Sequence, residues 1–166
     1  MAESDAVTSP EKTRTILIAM DGSKHAIQAF EWYAEHMHRD TDNVLMAHCA
    51  EMSLHLPSSA YLGSPATVHA LLQKHEDHIK EIFKTIDDVA KKYKIEHKLV
   101  HIDSSHHKPG EAIVNAADQQ NVDFIILGSR GHNKLRRTIM GSVSDYILHH
   151  SHVPVLICKH AHEHHS

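Results

Sequence analysis

Apolar residues fall along this chain in two alternating patterns: short continuous runs, and longer stretches at helical spacing. Thr15-Ile16-Leu17-Ile18-Ala19-Met20 is continuously apolar with β-branched members and is halted by Asp21-Gly22-Ser23. Such a run predicts a strand buried on both faces. Ser23 can cap the segment that follows, where Ala26, Ile27, Phe30 and Ala34, with Trp32 and Tyr33, recur near every 3.6 residues through about Met37. Residues 44–50 predict a second buried strand, and residues 51–64 a looser stretch. Ser64-Pro65 reads as N-cap and first helical position. The helix it opens runs to about Lys92, with Val68, Leu71, Leu72, Ile79, Ile82, Phe83, Ile86 and Val89 on its apolar side. Leu71 and Leu72 are expected in the core.

Residues 95–102 alternate in part and carry charges, which suits an edge strand. Residues 104–110 form a loop, residues 111–120 a short helix with Ala112, Ile113, Ala116 and Ala117 inward, and residues 122–127 a central strand. A loop punctuated by glycines leads to a helix over about 142–149, and residues 153–158 close as a strand. The order is β-α-β-α-β-α-β-α-β, which implies parallel pairing and right-handed crossovers in a single open α/β sheet. Ligands of such sheets sit beyond the carboxyl ends of the strands, where strand order reverses.

A chain of 166 residues suits one domain, here expected over residues 13–159 between a polar N-terminal tail, 1–12, and a histidine-rich C-terminal tail, 160–166. The net charge of −4 argues against a nucleic-acid partner. No run of about 18 apolar residues suggests a membrane partner. The polar opening residues lack the apolar region of a secretory signal, so the expected location is the cytoplasm. Cys49 and Cys158 lie in apolar stretches and are expected as reduced, buried thiols. The 20 histidines are unusual. They would raise the charge steeply on mild acidification. His75 and His78 are three apart on the long helix, and His149, His150 and His152 cluster after the last helix. None shows the spacing of a defined metal site.

The most informative segment runs from Gly128 to Ser144. It leaves the carboxyl end of a buried strand and enters a helix at Gly141-Ser142-Val143-Ser144. Helix N-termini present unpaired N–H groups and a positive dipole end to anions. The two serines add hydroxyl donors, and Arg130, Lys134, Arg136 and Arg137 add positive charge. Each hydrogen bond to a charged group contributes roughly 1.5–3 kcal/mol, so several together would hold a triphosphate.

Gly128-x2-Gly131-x9-Gly141-Ser142 resembles the ATP-binding signature of the universal stress protein family. Ala19-Met20-Asp21-Gly22-Ser23 is similar to that family's first strand and turn. The stretch from Val44 to Cys49 resembles its second strand, and Pro109-Gly110-Glu111-Ala112-Ile113 the loop into its third helix. The resemblance covers roughly residues 13–159. It implies a Rossmann-like five-stranded parallel sheet of order 3-2-1-4-5 with helices on both faces. It also implies a homodimer paired through the last strand, Val155 to Cys158. The chain keeps the glycines that mark the ATP-binding members.

By the same resemblance, Asp21 would take the ribose hydroxyls, with Ala19 and Met20 beside the nucleoside. Cys49, where many members have valine, would meet the adenine. The loop of Gly128, Ser129, Arg130, Gly131, His132, Asn133 and Lys134 would wrap the phosphates, with His132 at a variable place of the signature and its role open, and Gly141, Ser142, Val143 and Ser144 would complete the cradle. Mg²⁺ or Mn²⁺ would bridge the phosphates without a carboxylate ligand. ATP binding would order the loop over residues 129–140, and that ordering would be a regulatory signal in a stress response.

Two rivals remain at this point: a slow ATPase, and a partner-binding stress protein whose glycine loop holds no nucleotide. The sequence shows no constellation of base, water-orienting group and metal ligands that would carry hydrolysis. Neither Gly-x4-Gly-Lys-Ser/Thr nor Gly-x-Gly-x-x-Gly occurs.

Overall fold

The computed structural model describes residues 13–50, 65–104, 106–131 and 140–159. The two tails and the loop over 51–64 lie outside the described residues. Nine elements alternate among those described: β1 (Thr15–Ala19), α1 (Lys24–His36), β2 (Asn43–Ala50), α2 (Pro65–Lys92), β3 (His97–Asp103), α3 (Pro109–Gln119), β4 (Phe124–Gly128), α4 (Ser142–His150) and β5 (Val155–Cys158). The strands form one parallel sheet in the order β3-β2-β1-β4-β5. The chain moves outward from β1 to β3, then returns to the other side of β1 for β4 and β5. The reversal lies between the carboxyl ends of β1 and β4.

The continuous apolar runs are explained by burial on both faces. Ile16, Ile18, Val44, Met46 and Ile126 pack with α1 and α2 through Phe30, Tyr33, Ile82 and Ile86. Leu17, Leu45, Ile125 and Leu127 pack with α3 and α4 through Ile113, Val114, Ala117 and Ile147. Fully burying one such side chain contributes about 1.5–3 kcal/mol. β3 is an edge strand, as its charged alternation predicts, with Leu99 exposed. It begins two residues later than the pattern suggests. Ile95 is buried just outside it, its N–H closing the end of α2 on the Ala90 carbonyl. Val122 likewise lies outside β4, and its N–H closes α3 on the Ala117 carbonyl.

The amino edge of the sheet is tied by a buried carboxylate. Arg14 donates to both oxygens of Asp42, at 2.8 and 2.7 Å. The Tyr33 hydroxyl and the Arg39 N–H donate to the second oxygen, at 2.8 and 3.0 Å. Burial alone would raise the Asp42 carboxyl, but these donors together hold it below its ordinary range.

α2 corrects one expectation. Leu71 and Leu72 are not core residues; they are 37% and 44% exposed. The reason is length. A helix of 28 residues is about 42 Å long, whereas the 8 residues of β2 span about 26 Å. Its buried residues, Ile82, Ile86 and Ala90, all lie in its second half. The first half therefore overhangs the carboxyl edge. The cysteines also differ from expectation, being half-buried rather than buried, with no disulfide between them.

Candidate functional site

A cavity of about 430 Å³ opens at the carboxyl edge, where the strand order reverses. Ala19 and Met20 enter it from the end of β1, Ala47, His48 and Cys49 from β2, and Leu127 and Gly128 from β4. Pro109 and Ile113 of α3 close one side. The middle of α2, where the overhang begins, supplies the other through His75, His78, Ile79 and Ile82. The cavity thus crosses the sheet edge from one core layer to the other.

Asp21 sits in the turn after β1. Its Oδ1 accepts the Ser23 N–H at 2.8 Å, and Ser23 Oγ in turn accepts the Ala26 N–H at 3.2 Å, capping α1 as the sequence predicts. The carboxylate is therefore positioned by the same turn that starts the helix. Gly128 is required by close approach: a Cβ there would stand 2.7 Å from the His25 backbone of α1, so strand β4 can pass under α1 only without a side chain. A Cβ at Gly131 would stand 2.5 Å from Asp21 Oδ2, the end of a side chain, and would push that carboxylate aside.

Gly141 differs. A Cβ there would meet nothing closer than 3.6 Å, and its backbone is in the extended region that any residue adopts. What glycine supplies is chemical. As N-cap of α4 it brings no side-chain acceptor, and no side chain caps the helix. The first-turn N–H groups of Ser142, Val143 and Ser144 have no acceptor within the helix itself. All three residues line the cavity.

Of the residues singled out in the sequence, Ala19, Met20, Asp21, Cys49, Gly128, Arg130, Gly131, Gly141, Ser142, Val143 and Ser144 meet on this one cavity. Ser129 does not line it. It is buried, and it closes the base of the loop by donating its N–H to Cys158 and accepting the Gly141 N–H. His132, Asn133 and Lys134 lie outside the described residues, as do Arg136 and Arg137. Ser144 also departs from expectation. Its hydroxyl donates to the Gly128 carbonyl at 2.9 Å, so that donor serves the fold.

The α2 side of the cavity was not read from the sequence. The spacing of His75 and His78 places both on one helix face, but nothing local says that the face lies beyond the sheet. His48 is 5% exposed, and its Nδ1 lies 3.0 Å from the Met20 carbonyl. Burial, with a repulsive contribution from His101, lowers its pKa below the usual histidine range. Among the described residues no group of three His, Cys, Asp or Glu is placed to hold a metal ion. No helix among them is long and apolar enough to cross a membrane.

The model of the universal stress protein family matches residues 12–159. A universal stress protein of Methanocaldococcus jannaschii, MJ0531, is 26% identical over 149 residues, 88% of this chain and 82% of that one. An uncharacterised Schizosaccharomyces pombe protein, C167.05, is 23% identical over 93% of this chain, which spans only 24% of its length. Among solved structures, universal stress protein UspA from Lactobacillus plantarum superposes with a TM-score of 0.66 at 21% identity, covering 89% of this chain and 99% of that one. A family protein from Arabidopsis thaliana with AMP bound superposes with a TM-score of 0.62 at 16% identity, covering 90% and 93%. These identities speak for the fold alone, whereas the family model spans every described residue: the chain belongs to the universal stress protein family.

Proposed function

We propose that this chain is an ATP-binding regulatory module of the cytoplasm, holding the nucleotide in the carboxyl-edge cavity. The observation that carries the reading is the start of α4, where three first-turn residues without a side-chain cap line the cavity behind a glycine that brings no acceptor. Arg130 adds positive charge on the same wall. At the end of β1, Asp21 offers carboxylate oxygens suited to ribose hydroxyls. The apolar wall at Cys49, Ile113 and Leu127 suits a base. The AMP-bound relative lends support to nucleotide binding by this fold. A divalent cation would be held by the phosphates.

Titration calorimetry of ATP with Mg²⁺ into nucleotide-free protein tests the reading. Wild type is expected to bind at micromolar Kd. Gly131→Asp, whose Cβ would displace the Asp21 carboxylate and whose charge would oppose the phosphates, is expected to lose about 100-fold or more. No heat of binding from folded wild type would overturn the proposal.

We also propose that the chain pairs with a second copy through β5. This short edge strand leaves all four of its apolar residues only partly buried, and an unpaired apolar edge invites association. Light scattering at working concentration is expected to give twice the 18.7 kDa chain mass; a monomeric mass would sink the idea.

A further inference from the structure

The β2–α2 side of the cavity contains a histidine whose hydrogen-bonding state is fixed by its neighbours. A carbonyl oxygen only accepts, so the 3.0 Å contact between His48 Nδ1 and the Met20 carbonyl requires the proton on Nδ1. In the neutral ring Nε2 then carries a lone pair and no proton. The Met20 carbonyl is the first beyond the β1–β2 ladder, which ends at Ala19 and Ala47. The side chain therefore clasps the point where the crevice opens. Phe83 of α2 and His101 of β3 wall the ring, with centroids 5.9 and 6.2 Å away. What remains of His48 forms part of the cavity lining, as Met20 does.

We infer that His48 reads the base of the bound nucleotide, its Nε2 accepting a hydrogen bond from a purine that carries an amino group at C6 and rejecting one that carries an oxo group there. The inference rests on the nucleotide-binding reading above and adds a source of base selectivity to it. The cavity has two chemically distinct ends. The α4 end, with its N–H groups and Arg130, suits anions. The end beside Cys49 and His48 is lined by Ile79, Ile82 and Ile113 together with His75 and His78, and His48 is the histidine there whose acceptor is fixed by a hydrogen bond to the backbone. An exocyclic amine donates and an exocyclic oxygen only accepts. An oxo group against the Nε2 lone pair leaves two acceptors facing each other, and a site built around one hydrogen bond rejects the partner that cannot make it.

The experiment compares ATP with inosine triphosphate, which has an oxo group in place of the C6 amino group and a proton on N1, by calorimetry on the full nucleotide-free chain at pH 7.5; the His48 variant separates the contribution of Nε2 from any recognition of N1. Wild type is expected to prefer ATP by about tenfold or more, the worth of one well-made hydrogen bond in a closed site. His48→Asn keeps a donor near the Nδ1 position for the Met20 carbonyl and removes the Nε2 acceptor. Its preference is expected to fall to within about threefold, through weaker ATP binding alone.

A folded variant with the wild-type preference would overturn the inference, as would a wild type that binds both nucleotides equally. Either result leaves nucleotide binding standing. A wild type that binds neither would bring down the nucleotide reading and this one with it. Should His48→Asn fail to fold, wild type with the triphosphate of unsubstituted purine riboside, which has hydrogen in place of the C6 amino group and keeps the N1 lone pair, serves instead. Loss of the amino donor is expected to weaken binding about tenfold relative to ATP. Equal affinity for the two would overturn the inference.

Discussion

Asp42 shows how much a single side chain can organise. Its carboxylate is fully buried and takes hydrogen bonds from Arg14, Tyr33 and the Arg39 N–H. Its pKa is lower in the folded chain than in the unfolded one. A depressed carboxylate contributes stability above its unfolded pKa and loses it as pH falls through the folded value. Asp42→Asn is therefore expected to cost about 2–3 kcal/mol at pH 7, where it leaves charged and hydroxyl donors poorly matched. In urea unfolding the gap from wild type should narrow toward pH 3, and a gap unchanged by pH would show that the carboxylate charge is not what Asp42 supplies. Nothing local in the sequence announced this residue, because Arg14 lies 28 positions away. Asp21 and the glycines at 128, 131 and 141 were legible because they fall in one turn and one loop whose punctuation is unusual. His48 was not: it sits in an apolar run and takes its meaning from Met20, also 28 positions away.

At the scale of elements, α4 carries a conflict between stability and use. A side-chain acceptor at its N-cap would satisfy the first-turn N–H groups and strengthen the helix. The space and backbone angles at Gly141 would accept serine. Gly141→Ser is thus expected to gain a few tenths of a kcal/mol in the unliganded protein. It is also expected to weaken ATP binding about tenfold, because its Oγ occupies a donor the phosphates would use. Thermal melts and calorimetry on the same variant check both halves; full affinity in a stabilised variant would remove the start of α4 from the phosphate site. The long helix teaches the complementary lesson. Periodicity identified the apolar stripe of α2 correctly but could not say where the sheet beneath it ends. Leu71, Leu72, His75 and His78 consequently look alike with the buried residues when only spacing is read.

For the molecule as a whole, alternation of runs and stripes was enough to give a parallel α/β sheet, since buried strands read as unbroken apolar segments. Strand order is not contained in that alternation; the resemblance at the glycine loop supplied it, and the pairing of β1 with both β2 and β4 agrees. The surplus of histidines had the opposite character, prominent in composition yet dispersed in space. His149 and His150 lean on backbone carbonyls of their own helix, and His152 on Asp118.

The two edges of the sheet are secured unequally. The amino edge has the Asp42 tie, with donors from three residues, while at the carboxyl edge β1 and β2 are joined past their ladder only through Met20, to the Ala47 carbonyl and the His48 ring, before the cavity opens. Local opening begins where fewest contacts oppose it, so on warming the strands would fray from the cavity end toward the tie. A ligand seated there would brace the part of the molecule that yields first. Occupancy would then govern the lifetime of the chain against proteases as well as any message it carries.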